Sequence, residues 1–161
     1  MNQYTKNIRL FSRIGLWGSV AAVILTVAFI YSPWRFYNST HAARWMTIAA
    51  AVLAILAVSM TLLTVRRNIP YFRQMDDLEK KLAGYSSHVR QLYLTMLGVV
   101  VLLCLFTVLS SRSVILMLAM VSTLVLFLNY PNIYRVKVDL GLNDEQMHSL
   151  YGDQYIGGDE Q

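Results

Sequence analysis

Four long apolar stretches without a charged residue constrain this chain more than any other feature. They cover Ile14–Tyr31, Trp45–Val65, Leu92–Leu109 and Val114–Tyr130. As a helix, each is long enough to cross a hydrocarbon layer of about 30 Å. The sequence therefore predicts an all-α fold, an integral membrane four-helix bundle made of two antiparallel hairpins.

The composition agrees with a membrane location. Of the 161 residues, 56% are hydrophobic and only 14% are charged, whereas soluble proteins contain about 25% charged residues. A soluble bundle and a cleaved signal peptide are the alternatives. The first alternative is disfavoured because helices of soluble proteins rarely lack charges over such lengths. The second is disfavoured because the first stretch is longer than the apolar region of a signal peptide, which has ~7–15 residues. We expect a transmembrane domain over residues 1–135 and a cytoplasmic tail over residues 136–161.

The distribution of lysine and arginine predicts how the chain is threaded. The N-terminal segment, the connection before the third stretch and the segment after the fourth together hold 11 of the 14 Lys and Arg. The opposite side holds three, at Arg35, Arg44 and Arg112. Because Lys and Arg accumulate in cytoplasmic loops, we expect both termini in the cytoplasm. The small size and short loops suggest a bacterial inner membrane.

Small residues predict close packing of the first two helices, either with each other or around a shared core. Such residues let helix backbones approach within van der Waals contact in lipid. The third and fourth stretches are rich in Leu, Val and Met, and the short link between them, residues 110–113, predicts a hairpin. The residues that we assign to helix packing are Gly15, Gly18, Ser19, Ala22, Ala50, Ala54 and Ala57.

The connection between the second and third stretches carries a helical pattern over residues 71–90. We expect Pro70 near the first turn of this helix and an interruption or a bend at Gly84–Ser87. Three interpretations are open: an extension of the third membrane helix, a helix on the membrane surface, or a coiled segment that binds a partner. The apolar positions, spaced by three and four residues, are Tyr71, Met75, Leu78, Leu82, Tyr85 and Val89.

The tail is short and acidic, with six acids and no Lys or Arg after residue 138. The alternation in Val136–Leu142 predicts an extended segment. Asn143–Gln146 resembles a capping box, which predicts a short helix to about Tyr151, stopped by Gly152, and disorder at Gly157–Gln161. Three behaviours of the tail are open: it folds back on the basic surface of its own chain, it binds another protein, or it is disordered. The residues expected to contact a partner or lipid are Arg73, Lys80, Lys81, Asp144 and Glu145.

Motifs that carry chemistry are missing from the sequence. The four stretches contain no Asp, Glu, His, Lys or Arg, whereas ion-coupled carriers usually place such a group within the bilayer. HExxH, a phosphate-binding glycine loop and GxSxG are not found. We therefore expect no catalytic, cofactor-binding or metal-binding residue, no cofactor and no nucleic-acid partner. An enzyme would need His88 and His148 close to each other and to an acid such as Asp144.

The leading hypothesis is a non-enzymatic accessory, assembly or interaction subunit. Its partners are the lipid bilayer and another membrane protein or a second copy of the chain. The alternative is a small homo-oligomeric channel or transporter lined by hydroxyl groups and small residues. That alternative requires hydroxyl side chains to converge on a water-accessible cavity; the candidates are Thr26, Ser59, Thr61, Ser122 and Thr123.

Overall fold

The computed structural model describes residues 3–32 and 40–152, and the regular structure within these ranges is entirely helical. Residues 33–39 of the first connection, which include Arg35, and the predicted disordered residues 157–161 lie outside the described ranges. The six helices are α1 (Gln3–Ile30), α2 (Thr40–Arg73), α3 (Leu78–Ser110), α4 (Ser113–Leu128), α5 (Ile133–Leu140) and α6 (Asp144–Tyr151).

Three of these helices, α1, α2 and α3, are long and apolar enough to cross a membrane. Helix α4 has 16 residues and covers about 24 Å at 1.5 Å per residue. It passes the same test only together with α5, from which it is bent by 73°. The predicted all-helical fold is confirmed, with three candidate spanning helices, or up to four if the bent pair is one span.

Helix α3 is central to the packing. It contacts α1, α2 and α4, and α4 in turn contacts both α1 and α2. Helices α1 and α2 make no extensive contact with each other in the described ranges. Of the two arrangements expected for the small residues, packing around shared helices describes the structure, and direct packing of α1 on α2 does not.

Two hydrophobic clusters fill opposite ends of the helices. One combines Ala50 and Ala54 of α2 with residues of α3 and α4 that include Leu103 and Ile115. The other contains residues from all six helices and lies where α3 begins and where α5 and α6 are found. We call this second region the tail end of the molecule.

Tyr93 joins three helices within the tail-end cluster. Its side chain is only 1% exposed, and its hydroxyl donates a hydrogen bond to the carbonyl oxygen of Leu126 in α4, at 3.1 Å. On its other side is Gly15 of α1, where an added Cβ atom would lie 2.8 Å from the Tyr93 side chain. Helices α1 and α3 can therefore approach this closely only because Gly15 has no side chain.

The prediction for Pro70 is wrong. This residue lies inside α2, which continues to Arg73, and not at the start of the next helix. Only three residues of α2 follow Pro70, so the helix ends within one turn of the N–H group that proline lacks. The true start signal for α3 is Asp77, whose side chain accepts a hydrogen bond from the backbone N–H of Glu79, at 3.0 Å.

The predicted interruption at Gly84–Ser87 is not found, because α3 continues through these residues. Gly84 serves close packing here: a Cβ atom at this position would lie 2.9 Å from the ring of Phe72 in α2. Tyr85 and Ser86 are buried, so tertiary packing outweighs their weak helix propensity. The continuity agrees with the first interpretation, an extension of the third long helix, for residues 78–90 only. The predicted segment is wrong for its first part, because residues 71–73 belong to α2 and residues 74–77 connect the two helices.

The segment predicted to be extended, Val136–Leu142, is mostly helical and forms the greater part of α5. Asn132 caps its start by accepting a hydrogen bond from the backbone N–H of Arg135, at 2.7 Å, and Gly141 ends it with a φ of 61°. Val136 and Leu140, four residues apart, are both fully buried. An apolar pair at this spacing fits a helix as well as a strand. The caps at Asn132 and Gly141 favour the helix.

The prediction for α6 is confirmed. The reciprocal capping box joins Asn143 and Gln146, and the helix ends at Tyr151 with Gly152 as its C-cap. The tail folds back on the other helices: Met147 is buried in the tail-end cluster, and the guanidinium of Arg9 lies 5.3 Å from the centre of the Tyr151 ring. The described part of the tail, residues 136–152, is therefore part of the folded core.

Two glycines test the close approach at Tyr93. We expect Gly15→Ala to destabilise the protein by about 1–3 kcal/mol, because the added methyl group must displace Tyr93 or separate α1 from α3. Gly98→Ala is the control, since a Cβ atom at Gly98 meets nothing within 4 Å. Thermal unfolding in a mild detergent measures both. Equal effects of the two substitutions would contradict the proposed contact.

Candidate functional site at the tail end

A group of polar side chains lies where α2, α3 and α5 meet. Helix α3 supplies Tyr85 and His88, which are three residues apart and so share one face of the helix. Helix α2 supplies Asn68, and α5 supplies Arg135 and Asp139, one turn apart. We call these five residues the polar cluster.

Tyr85 and Asp139 connect α3 to the tail. The hydroxyl of Tyr85 donates a hydrogen bond to Oδ2 of Asp139, at 2.9 Å, and Nε of Arg135 lies 3.8 Å from the same oxygen. The side chain of Asp139 is only 13% exposed. A carboxylate at this depth needs such partners, because an unpaired buried charge is strongly unfavourable.

Arg135 also fixes the end of α4. Its guanidinium donates a hydrogen bond to the carbonyl oxygen of Leu128, and a second to Oδ1 of Asn129 at 3.0 Å. The last carbonyl groups of a helix have no partner within the helix, so Arg135 satisfies one of them. The side chain of Arg135 thus contacts the end of α4, Asn129 directly after it and the carboxylate of Asp139.

His88 is the one member of the polar cluster with an unsatisfied buried atom. Its Nδ1 atom lies 3.2 Å from Nδ2 of Asn68, so the imidazole accepts a hydrogen bond at Nδ1 and carries its proton on Nε2. Nε2 is buried and has no hydrogen-bond partner in the described structure. The ring centre is 6.0 Å from that of Phe72, and the two ring planes are inclined by 54°.

A small cavity of about 30 Å³ lies within the polar cluster. His88, Tyr85, Arg135 and Asp139 line it, together with apolar residues that include Leu92. This volume matches one water molecule, and a buried water typically bonds to otherwise unsatisfied polar groups.

Burial controls the protonation of His88 and Tyr85, which both lie outside the four apolar stretches. Burial lowers the pKa of His88 below its usual 6.5, and the negative charge of Asp139 opposes this change. Burial, together with the nearby Asp139 carboxylate, raises the pKa of Tyr85 far above its usual range. At neutral pH the site therefore contains a neutral imidazole, a neutral phenol and one ion pair.

The three residues named for an enzymatic site have different surroundings in the structure. His148 is exposed on α6, whereas His88 is enclosed by α2 and α3. Asp144 forms an ion pair with Lys137. In residues 3–32 and 40–152, no group of three or more His, Cys, Asp and Glu side chains is placed to hold a metal ion.

The hydroxyl groups considered for a pore have separate surroundings in the described chain. Thr61 lines a groove of about 190 Å³ between α2 and α3, and Thr123 lines a separate groove between α1 and α4. Ser122 is fully buried and donates a hydrogen bond back to the carbonyl of Leu118, at 2.9 Å. Thr26 donates in the same way to its own helix, and Ser59 is exposed.

The residues assigned to helix packing occupy several environments. Besides Gly15, Gly18 approaches the side chain of Leu97, with 3.0 Å from a built Cβ atom to Cδ1. Ser19 and Ala50 are fully buried, and Ala54 is 5% exposed. Ala22 and Ala57 are half-buried and pack against the clusters.

The charged residues expected to contact a partner or lipid divide between the α2–α3 turn and the tail. Arg73 donates a hydrogen bond to the carbonyl of Val138, at 2.6 Å, and the ammonium of Lys81 lies 3.3 Å from the carbonyl of Leu140. Lys80 pairs loosely with Asp77, at 3.7 Å. Asp144 pairs with Lys137 on α5, and Glu145 is exposed on α6.

Sequence reasoning missed most of the polar cluster. It assigned no role to Asn68 or Asp139 and treated Arg135 only as a topology signal. The pair Arg135 and Asp139 would have been recognised as helix neighbours only if α5 had been predicted. The available signals were the cap residues Asn132 and Gly141, which bracket eight residues.

Comparison with known proteins gives no relative. No protein-family model matches the chain, and no curated protein and no solved structure is similar to it at a significant level.

The hydroxyl of Tyr85 provides a direct test of the link between α3 and the tail. We expect Tyr85→Phe to lower the stability by about 1–2 kcal/mol, the low end for a hydrogen bond to a charged partner, because Asp139 is left with fewer partners. Tyr71→Phe is the matched control, since Tyr71 is exposed. Thermal unfolding and the rate of proteolytic cleavage within the tail are the measurements. Unchanged values in Tyr85→Phe would contradict the link.

His88 predicts a specific dependence of stability on pH. Because its pKa is lower in the folded than in the unfolded chain, the unfolded state binds a proton first as the pH falls, and stability is lost below about pH 6.5. We expect His88→Gln to reduce this loss. His148→Gln, in which an exposed histidine is replaced, should retain it. Identical unfolding temperatures of the native protein and His88→Gln at every pH between 7 and 5 would refute the assignment.

Proposed function

We propose that this chain is a four-helix integral membrane protein that acts, without enzymatic activity, as an accessory or assembly subunit. In this proposal both termini are cytoplasmic, and the membrane is a bacterial inner membrane. The apolar outer surface of α2 supports the membrane placement, because a water-soluble protein rarely exposes such a surface. Its exposed residues are Trp45, Ile48, Val52, Ile55, Leu56, Met60, Leu62 and Leu63.

The charges of the tail end support the proposed orientation. Lys6, Arg9 and Arg13 lie in the first turns of α1, and Arg66, Arg67 and Arg73 lie at the end of α2. The other basic residues at this end, on α3 and α5, are Lys80, Lys81, Arg90, Arg135 and Lys137. Because positive residues are retained on the cytoplasmic side, the tail end faces the cytoplasm in this proposal.

The outer face of α5 is the observation that carries the interaction role. Tyr134 and Val138, four residues apart, are 60% and 64% exposed, although both lie beyond the last apolar stretch. Tyr71, at the end of α2 that contacts α5, is 62% exposed. The opposite face of α5 is fixed to the molecule by Val136, Leu140 and the polar cluster. A rigid helix that presents apolar side chains outside the membrane offers a preformed contact for a protein partner.

Photo-crosslinking tests this proposal. A photoreactive amino acid is placed at Val138, and a matched control is placed at Ser149, which is exposed on α6. After irradiation of intact membranes, we expect one discrete adduct with a larger protein from position 138 and none from position 149. Mass spectrometry identifies the adduct, and the particle mass after gentle extraction gives the stoichiometry.

Two other outcomes would overturn the accessory role. An adduct at exactly twice the mass of the chain, with a purely homo-oligomeric particle, would favour the channel or transporter alternative. Failure of both positions to form any adduct would exclude a protein partner at α5.

A further inference from the structure

A shallow groove follows α2 just beyond its apolar stretch. Its volume is about 410 Å³, and it is formed by residues near the end of α2 together with Gln74, which follows the helix directly. Two arginines stand at its ends, and aliphatic side chains and a proline form its floor. The lining residues are Val65, Arg66, Ile69, Pro70, Arg73 and Gln74.

The two arginines face the same groove because they are seven residues apart, which is close to two turns of a helix. Arg66 is exposed. Arg73 donates a hydrogen bond to the carbonyl of Val138, at 2.6 Å, and this contact positions its guanidinium. A guanidinium has five N–H donors, so others remain for a ligand. Among the described residues, no carboxylate lies within 4.0 Å of either arginine as an ion-pair partner.

The position of the groove matches the headgroup layer of a membrane. Val65 is the last residue of the second apolar stretch, and Arg66 is the first charge after it. Pro70 has no N–H group, so the carbonyl of Arg66 lacks its usual helical donor four residues later. The groove therefore combines two cationic groups, one backbone acceptor and an aliphatic floor at the depth where a phospholipid changes from acyl chain to phosphate.

We propose that this groove binds an anionic phospholipid of the cytoplasmic leaflet, with the phosphate held by Arg66 and Arg73. The first part of an acyl chain lies on Val65 and Ile69. Guanidinium groups form charge-assisted, often bidentate hydrogen bonds with phosphate. This inference rests on the membrane placement proposed above and adds a defined lipid site to it.

Lipid binding to the full chain in neutral detergent tests the proposal. The probes are phosphatidylglycerol and phosphatidylcholine with identical acyl chains, titrated separately and followed by native mass spectrometry. We expect the native protein to bind the first phosphatidylglycerol more tightly than phosphatidylcholine, and Arg66→Gln to weaken that binding about fivefold, as expected for one interfacial cation worth about 1 kcal/mol.

Arg67→Gln is the matched control, because Arg67 is exposed on the same helix but does not line the groove. It removes the same charge at a position outside the groove, and we therefore expect the affinity for phosphatidylglycerol to fall by less than about twofold. Arg66→Lys should recover part of the affinity, since it restores the charge without the planar fork. Equal losses in Arg66→Gln and Arg67→Gln, or equal binding of both lipids by the native protein, would overturn the site.

The same experiment separates this inference from the membrane proposal. If the purified chain stays folded and monodisperse without detergent or lipid, the membrane placement itself fails. If the chain requires detergent but the Arg66 variants bind phosphatidylglycerol as the native protein does, only the lipid site fails.

Discussion

The fit of Tyr93 against Gly15 is the contact on which the arrangement of the helices depends. In lipid, helices gain little from hydrophobic burial against each other, so close backbone approach and buried hydrogen bonds decide how they pack. Tyr93 provides both: its ring occupies the space left by Gly15, and its hydroxyl reaches the carbonyl of Leu126. Helices α1, α3 and α4 are thereby joined at one point, and the tail-end cluster is built around it.

The tail completes this core, because α5 and α6 contribute buried side chains to the same cluster. Its attachment is partly apolar, through Val136 and Leu140, and partly polar, through Asp139 and Arg135. The polar contacts give the tail one defined position, since Asp139 is satisfied only where Tyr85 and Arg135 both reach it. The exposed face of α5 is consequently held in a fixed orientation toward the surroundings of the protein.

Local sequence signals predicted the helices and the capping box at Asn143, because these depend on spacing within a few residues. Predictions failed where two local rules conflicted. The apolar residues Val136, Val138 and Leu140 fit a strand as well as a helix. Gly84 is a residue that usually interrupts a helix, but here it allows close contact with Phe72. The polar cluster joins α2, α3 and α5 across 71 positions from Asn68 to Asp139, and no spacing rule relates residues so far apart.

The short length of α4 has a consequence for the surrounding lipid. Sixteen residues cover about 24 Å, which is several ångströms less than a typical hydrocarbon core of ~30 Å. In the proposed placement, Arg112 and Arg135 at the two ends of α4 would draw the headgroups toward each other on that side of the protein. Hydrophobic mismatch of this kind thins the bilayer locally and favours thinner membranes. The protein would then deform its membrane asymmetrically, more beside α4 than beside α2.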